Sequence, residues 1–230
     1  MKICGFQKLT LLDFPGRVAC TVFTGGCNFL CPFCHNALLV TELSKTEEIQ
    51  KNEVIAYLKK RAGILDGICV SGGEPLLQPD IEEFLSELKS LSLAVKLDTN
   101  GSFPEKLRSV VEKGLCDYVA MDIKNSKERY AETVGIENFD ISPIEQSVEF
   151  LLSGKVDFEF RTTVVRELHT EEDIEKISKW ISGAPRYFLQ NFVDSGKIIG
   201  GKLSAHTHEK LESMRQNALK HIDFVELRGV

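Results

Sequence analysis

Three of the seven cysteines in this sequence lie close enough together to bind one inorganic centre. Cys27, Cys31 and Cys34 fall within eight residues, directly after a Gly25-Gly26 pair. Structural zinc normally takes four ligands, and no second cysteine pair at a zinc-ribbon spacing follows. A redox-active Cys31/Cys34 pair is another possibility, but it leaves Cys27 without a role. A third possibility is a four-iron, four-sulfur cluster, in which three thiolates leave one iron open for a substrate.

Three further segments place polar groups after short apolar runs. These segments are 71–75 (SGGEP), 98–101 (DTNG) and 121–124 (MDIK). Glycines let a backbone approach a ligand closely, and carboxylates and free carbonyls accept hydrogen bonds from a protonated amine. Taken singly, each segment is also typical of a turn or a helix cap. If each ends a parallel strand, all three lie at one end of the sheet, where ligands bind.

The elements that must position these groups follow a repeating pattern. Short runs rich in Val, Ile and Phe alternate with longer amphipathic stretches, which is typical of βα units and a mostly parallel sheet. The pattern predicts strands at 18–24, 67–71, 94–98, 118–122, 157–165, 186–192 and 222–227. It predicts helices near 46–62, 80–91, 104–113, 142–153, 170–182 and 206–220. With no linker or longer repeat, the expectation is one α/β domain over residues 1–230.

Composition and charge narrow the class of protein. The 230 residues are 43% hydrophobic, and 28 basic against 34 acidic side chains give a net charge of -6. This balance argues against nucleic acid as a partner. No apolar stretch reaches the roughly 20 residues that a membrane helix needs. We therefore expect a cytoplasmic protein without a nucleic-acid or membrane partner, and the odd number of cysteines fits a reducing compartment.

The cysteine segment resembles a known signature. Its pattern Cys-x-x-x-Cys-x-aromatic-Cys, with Phe33 as the aromatic residue, is similar to that of the radical S-adenosylmethionine (SAM) superfamily. The resemblance implies a partial (β/α)6 barrel of parallel strands, here with an additional C-terminal strand, and a cluster loop after the first strand. It implies that Cys27, Cys31 and Cys34 hold one four-iron, four-sulfur cluster and that SAM binds the open iron.

The other segments extend this resemblance. Segment 71–75 is similar to the superfamily's Gly-Gly-Glu-Pro element, which holds the amino group of SAM, and segments 98–101 and 121–124 resemble parts of the glycyl-radical-enzyme activating enzymes. Carried over, these imply that Lys124 meets the SAM carboxylate. The implied ligands of a monovalent cation are Asp98, Thr99, Asp122 and the main chain of Met121. The implied SAM-binding residues are Phe33, His35, Gly72, Gly73, Glu74, Lys124, Asn125 and Arg161.

The N-terminal region resembles the same enzymes. Segment 12–17 (LDFPGR) is similar to their Asp-Gly-Pro-Gly element, and 34–36 to their Cys-His-Asn ending. Over residues 8–36 the pattern resembles the branch that activates anaerobic ribonucleoside-triphosphate reductase. The resemblance implies that a 5'-deoxyadenosyl radical, made from SAM, takes hydrogen from a glycine of a partner glycyl-radical enzyme. A flavodoxin or ferredoxin-type protein would supply the electron, and no catalytic side chain beyond the cofactor ligands is expected.

Two alternatives remain beside this activase hypothesis. One is a radical SAM enzyme that acts on a small molecule, similar to 7-carboxy-7-deazaguanine synthase, which would want a pocket sealed by the last strands. The other is a zinc or iron-sulfur module without enzymatic activity, which would not cleave SAM.

The remaining histidines and cysteines have structural interpretations. His206 and His208 have no third ligand nearby in sequence, so we expect helix capping and solvent exposure rather than metal binding. His169 precedes a predicted helix and is expected at the surface. The other four cysteines show no ligand spacing and are expected in the core: Cys4, Cys20, Cys69 and Cys116.

Overall fold

A sheet of eight strands organises the chain in the computed structural model, which describes residues 1–194 and 196–229. The strands are β1 (Ile3–Thr10), β2 (Ala19–Thr24), β3 (Gly67–Gly72), β4 (Ala94–Thr99), β5 (Tyr118–Asp122), β6 (Asp157–Val164), β7 (Tyr187–Asn191) and β8 (Val225–Arg228). Their order in the sheet is their order in the chain. β1 is antiparallel to β2, and each later pair of neighbours is parallel.

Helices lie between successive parallel strands in the chain, as in repeated βα units. They are α1 (Ala37–Thr41), α2 (Lys51–Lys60), α3 (Ile81–Ser90), α4 (Pro104–Glu112), α5 (Tyr130–Val134), α6 (Ser142–Leu152), α7 (Glu171–Trp180) and α8 (His208–Ala218). Single 3-10 turns lie at 43–45, 75–77 and 127–129. Among the residues the structure describes, no helix is long and apolar enough to cross a membrane.

The predicted parallel strands and most predicted helices are confirmed within three residues. The helix predicted near 46–62 is shorter at its start, because the backbone N–H of Ile49 donates to Ile3 O at 2.8 Å and keeps that segment extended beside β1. β1 itself was not predicted, and its antiparallel pairing with β2 leaves the sheet mostly parallel, as expected. Its middle is half-buried or exposed and includes Gly5 and Lys8, so it lacks the apolar run that marks the other strands.

The sheet curves into an open barrel with a polar inside. Among the described residues β8 pairs with β7 alone, so the sheet does not close. Successive side chains of a strand face opposite sides, and in β6 Phe158 and Phe160 belong to the main apolar core, together with buried positions of the helices. The alternate residues, Glu159 and Arg161, instead pair with charged or hydroxyl groups of other strands. Packing therefore stabilises the outer face, and ion pairs fill the inner one.

Residues between β1 and β2 close the amino end of the barrel. Phe14 is 3% exposed and its ring lies 6.0 Å from that of Tyr118. A Cβ at Gly67 would lie 3.0 Å from the Phe14 ring, so the small residue leaves room for it. Asp13 accepts a hydrogen bond from the Thr21 hydroxyl of β2. Phe14 therefore plugs this end, and the opposite, carboxyl end stays available for a ligand.

Candidate active site

A cavity lies at the carboxyl ends of the parallel strands, where the sequence predicted the ligand site. It brings together residues that are up to 163 positions apart, from Cys27 to Gln190. Its walls come from the cysteine segment, from the ends of β3 to β7 and from the residues that follow them. The lining residues are Cys27, Phe29, Cys31, Phe33, Cys34, His35, Asn36, Val40, Ser71, Gly72, Gly73, Asp98, Thr99, Asn100, Asp122, Lys124, Arg161, Thr163 and Gln190.

The three thiols of the cysteine segment all face this cavity. The backbone N–H of Cys34 donates to Cys31 O at 3.0 Å, which makes a turn, and the N–H of Phe29 donates to Cys27 Sγ at 3.4 Å. Burial raises the pKa of the Cys31 thiol to about 12, and the charge of Lys124 only partly offsets burial. Burial likewise raises the pKa of Cys27 and Cys34. These thiols therefore lose their protons only to a cationic centre that binds them.

Contacts from two distant parts of the chain hold the cysteine segment in place. The N–H of Leu30 donates to Val134 O at 2.9 Å at the end of α5. The N–H of Gly200 donates to Pro32 O at 2.7 Å, and a Cβ at Gly200 would lie 2.4 Å from the Pro32 ring. Phe29 is 2% exposed and packs edge-on against Phe139 at 5.4 Å. The loop that carries the thiols is thus braced before any cofactor binds.

The Gly-Gly pair at the end of β3 serves a close approach of two backbones. A Cβ at Gly73 would lie 1.9 Å from Gly26 O, and Gly72, with φ +123°, has backbone atoms of Thr24 within 2.3 Å of its Cβ position. The N–H of Gly73 donates to Thr24 O at 2.9 Å. Both glycines also line the cavity. They join the end of β3 to the start of the cysteine segment.

Glu74 is fully buried and does not line the cavity. Its carboxylate accepts hydrogen bonds from the N–H of Asn100 at 2.7 Å, the N–H of Leu76 at 3.0 Å and the Thr99 hydroxyl at 2.8 Å. Burial raises its pKa to about 7, although these three donors favour the charged form. Glu74 therefore ties the end of β3 to the end of β4, and the predicted contact with an amino group stays a prediction.

A chain of ion pairs forms the floor of the cavity. Asp98 pairs with Lys96 and lies 3.3 Å from Arg161 Nη1, and Asp122 Oδ1 accepts from Arg161 Nε at 2.9 Å. Lys124 Nζ donates to Asp122 Oδ2 at 3.0 Å. Burial opposes the charge on each carboxylate, but the neighbouring cations outweigh it and hold the pKa of both Asp98 and Asp122 below the ordinary value. Burial also disfavours the charge on Lys124, but Asp122 outweighs it and raises its pKa.

Besides Glu74, two more of the predicted site residues do not reach the cavity. Asn125 is fully buried and its amide donates to Thr133 Oγ1 at 2.8 Å and to Leu168 O at 2.9 Å. The Met121 side chain is also fully buried and packs under Gly101. His35, by contrast, is exposed at the rim, with its ring 5.7 Å from that of Phe192.

The expectation that His169 lies at the surface is wrong. The residue is 1% exposed because it folds under the ends of β5 and β6. Its Nδ1 accepts from the N–H of Val165 at 3.1 Å, so Nε2 carries the proton and donates to Lys124 O at 2.7 Å. Burial lowers its pKa to about 4. His169 also contacts Phe33 edge-on at 6.3 Å and so connects the cysteine segment to the lysine of the cavity floor.

The other histidines and cysteines mostly follow expectation. Cys20, Cys69 and Cys116 are buried, whereas Cys4 is only half-buried, since β1 is an edge strand, and it accepts from the Thr46 hydroxyl. His208 is exposed, and the side chain that caps α8 is Thr207. Over the described part of the chain, no three His, Cys, Asp or Glu side chains converge closely enough for one metal ion. This holds for Cys27, Cys31 and Cys34 as well, whose thiols would each bind a different iron in a cluster.

Several polar residues of the site were not predicted from the sequence. Thr163 and Gln190 line the cavity from β6 and β7. Thr163 stands two residues after Arg161, and this alternation could have placed both on one face of the strand. Asn36 donates to Gly72 O at 3.1 Å, and Asn100 donates to Asn28 Oδ1 at 3.0 Å. These two amides join neighbouring loops, which no local pattern shows.

Comparison with known proteins agrees with this geometry. Residues 21–181 match the Radical SAM superfamily. The chain is 32% identical over 237 residues to a putative glycyl-radical enzyme activating enzyme of Methanocaldococcus jannaschii, covering 99% of this chain and 96% of that protein. It is 26% identical over 197 residues to a pyruvate formate-lyase-activating enzyme of Listeria monocytogenes, covering 80% and 77%.

A solved structure shares the fold. The crystal structure of Streptococcus suis SuiB bound to S-adenosylmethionine matches with a TM-score of 0.69 at 13% identity, over 90% of this chain and 49% of that one. The partial barrel expected from the sequence is thereby confirmed. From the matched residues 21–181 and the full-length relative, the chain belongs to the radical SAM superfamily and groups with its glycyl-radical-enzyme activating enzymes.

Proposed function

We propose that this chain activates a partner glycyl-radical enzyme, with an anaerobic ribonucleoside-triphosphate reductase as the partner. The observation that carries the proposal is one cavity that contains three thiols on one wall and a buried cluster of cations on its floor. Membership in the radical SAM superfamily implies a four-iron, four-sulfur cluster and SAM as cofactors. A flavodoxin or ferredoxin-type protein is the proposed electron donor.

The residues present fit both cofactors. Cys27, Cys31 and Cys34 supply three soft ligands, which suit iron in a cluster and leave one iron open. Lys124 and Arg161 at the floor stay protonated, because their pKa values are raised, and they suit the carboxylate of SAM. When bound, the cluster supplies the electron and SAM supplies the 5'-deoxyadenosyl radical that takes a hydrogen atom from a glycine.

The roles of the chain's own residues follow from their contacts. Lys124 donates to Asp122 Oδ2 at 3.0 Å and lines the same cavity as the thiols, so its charge favours thiolate at Cys31 as well as an anionic ligand. Ser71, Gly72 and Gly73 also line the cavity, and we assign their main-chain groups to the amino group of SAM. Phe33 is 3% exposed beside the thiols and excludes water there. We assign His35 at the rim and Phe33 to the adenine side.

Exposed apolar side chains around the cavity end of the barrel favour a protein substrate. Leu30, Leu38, Leu77 and Val193 are between 37% and 58% exposed. They follow the carboxyl ends of β2, β3 and β7, so all lie at the end of the sheet where the cavity opens. Exposed apolar groups beside a cavity are suited to contact another protein. Five more exposed apolar side chains lie elsewhere on the surface: Leu9, Leu11, Leu12, Ile64 and Phe224.

The first experiment tests the ligand assignment. Wild type, Cys31→Ala and Cys20→Ala are reconstituted with iron and sulfide without oxygen, then mixed with dithionite and SAM. Cys20 is fully buried outside the cavity, so its variant is the matched control. We expect wild-type iron and 5'-deoxyadenosine for Cys20→Ala and almost none for Cys31→Ala. If Cys31→Ala assembled the cluster and cleaved SAM, the assignment would be wrong.

The second experiment tests the substrate. The reduced protein and SAM are incubated with candidate glycyl-radical enzymes, and the sample is examined by electron paramagnetic resonance. We expect the doublet of a glycyl radical with an anaerobic ribonucleotide reductase. A doublet with a different glycyl-radical enzyme would keep the activase function and correct the partner. SAM cleavage without a doublet on any of them would favour a small-molecule substrate instead.

A further inference from the structure

The four carboxylate oxygens at the cavity floor are all paired with cations of this chain. Asp98 Oδ1 accepts from Lys96 Nζ, and Asp98 Oδ2 lies 3.3 Å from Arg161 Nη1. Asp122 Oδ1 accepts from Arg161 Nε at 2.9 Å, and Asp122 Oδ2 accepts from Lys124 Nζ at 3.0 Å. The resemblance implied that these two aspartates bind a monovalent cation. A metal ion that used their oxygens would have to displace an ammonium or a guanidinium group.

The other implied cation ligands also have partners in the protein. The Thr99 hydroxyl donates to Glu74 Oε1 at 2.8 Å and accepts from the N–H of Gly101 at 3.1 Å. Met121 lies in the central strand β5, where its main chain pairs between β4 and β6. The donor set therefore does not fit a metal cation without rearrangement of the floor.

Lys96 is the residue that changes the character of this floor. It lies in the middle of β4 with a side chain only 2% exposed, and its Nζ contacts Asp98 and, at 3.8 Å, Cys69 Sγ. Burial without a charged partner would remove the proton of a lysine. Here the Asp98 carboxylate, in direct contact with Nζ, is that charged partner. A fixed positive charge thus lies where a hard cation would neutralise Asp98.

Without a metal, the charged side chains of the floor leave one positive charge for a ligand. Lys96, Arg161 and Lys124 carry three positive charges, and Asp98 and Asp122 carry two negative ones. The surplus is one positive charge, which matches the one negative charge of a carboxylate ligand. Resting on the SAM binding proposed above, we propose that the Lys96 ammonium takes the place of a monovalent metal cation, so that this chain binds the SAM carboxylate without one. Lys96 is then a positioning residue that acts through Asp98 and Arg161.

The wild-type protein tests this proposal directly. Two quantities are measured on the reconstituted protein: the midpoint of thermal unfolding and the affinity for SAM. Each is measured in sodium, potassium and choline chloride at the same ionic strength. Choline has the same charge but cannot enter a small oxygen site. We expect equal midpoints and dissociation constants equal within about twofold in the three salts. If sodium or potassium, but not choline, raised the unfolding midpoint or the affinity for SAM in a saturable way, the proposal would be overturned.

The variant Lys96→Gln gives the complementary test. It removes the internal charge and frees Asp98 Oδ1, so we expect SAM affinity in choline to fall about tenfold and sodium or potassium to restore part of it. A folded Lys96→Gln protein without any cation response would contradict the proposal. Lys113→Gln, which removes an exposed lysine paired with Glu82, should leave both readouts unchanged.

The two readouts separate this proposal from the proposed function. If neither protein bound SAM in any salt, SAM binding itself would be refuted. The unfolding midpoint would then still show whether the floor binds a metal cation. If Lys96→Gln did not fold, the comparison of salts on the wild type would decide alone.

Discussion

One methyl group at Gly73 should separate the two loops that build the cavity. A Cβ at this position would lie 1.9 Å from Gly26 O and 2.6 Å from Gly26 C. Since Cβ atoms essentially never come closer than 3.0 Å to such atoms, the two backbones must move apart by about 1.1 Å, the difference of these distances. The atoms in the way belong to the backbone, so no side chain can rotate to make room.

The size of the effect follows from what that movement disturbs. The N–H of Gly73 donates to Thr24 O at 2.9 Å, and the N–H of Glu74 donates to Gly26 O at 2.8 Å. Overpacking costs about 1–3 kcal/mol, and weakening each hydrogen bond adds about 1 kcal/mol. We expect Gly73→Ala to lower the free energy of unfolding by about 3–5 kcal/mol. It also displaces Cys27, the neighbour of Gly26, and so lowers the iron content.

Urea unfolding of the apoprotein and iron and sulfide analysis after anaerobic reconstitution measure these two effects. Gly201→Ala is the matched control, since no heavy atom lies within 4 Å of its Cβ position. It should change the free energy of unfolding by less than about 0.5 kcal/mol. If Gly73→Ala had wild-type stability and a full cluster, the close approach of the two loops would not matter as we argue.

Two further predictions concern buried ionisable side chains other than the thiols. Burial lowers the pKa of His169 to about 4, whereas the unfolded chain binds the proton near pH 6.5, so stability is lost as the pH falls through this window. From pH 7 to pH 5 protonation of this group should lower the free energy of unfolding by about 2 kcal/mol. In urea unfolding, the free energy of His169→Gln should fall less than that of the wild type over this pH range. An equal fall would refute the lowered pKa of His169. Arg228 donates to the fully buried Glu159 at 2.9 Å. Arg228→Met should therefore cost about 3–5 kcal/mol in urea unfolding, and adding Glu159→Gln should recover part of it, because the unpaired buried charge is gone; no recovery would contradict this.

The parallel strands β2 to β7 were predictable because each one is mostly buried on both faces. A segment such as 67–71 is apolar whatever lies beside it, and the amphipathic stretch that follows must cover it. β1 escaped prediction for the opposite reason. As an edge strand it is partly exposed, and its pairing with β2 depends on residues that no local pattern names.

The candidate site divides in the same way. Cys27, Cys31 and Cys34 were predictable because ligands that lie within one turn of loop must end near one another. Strand-end segments were predictable as a group, because the carboxyl ends of parallel strands meet at one edge of the sheet. The direction in which each side chain points was not predictable. Glu74 and Asn125 follow two of these strand ends but point into the protein, where buried donors and acceptors engage them.

The linear order of residues was therefore enough for the family, the thiol set and the end of the sheet that carries the site. The partners of Lys96, Glu74 and His169 required the folded chain, because those contacts join residues 27, 25 and 45 positions apart. In the sequence, a lysine such as Lys96 only interrupts the apolar run of a strand. Only beside Asp98, with Arg161 on its other oxygen, does it become an internal cation. Burial makes each of these charges costly alone, and the fold makes them stable by bringing them together.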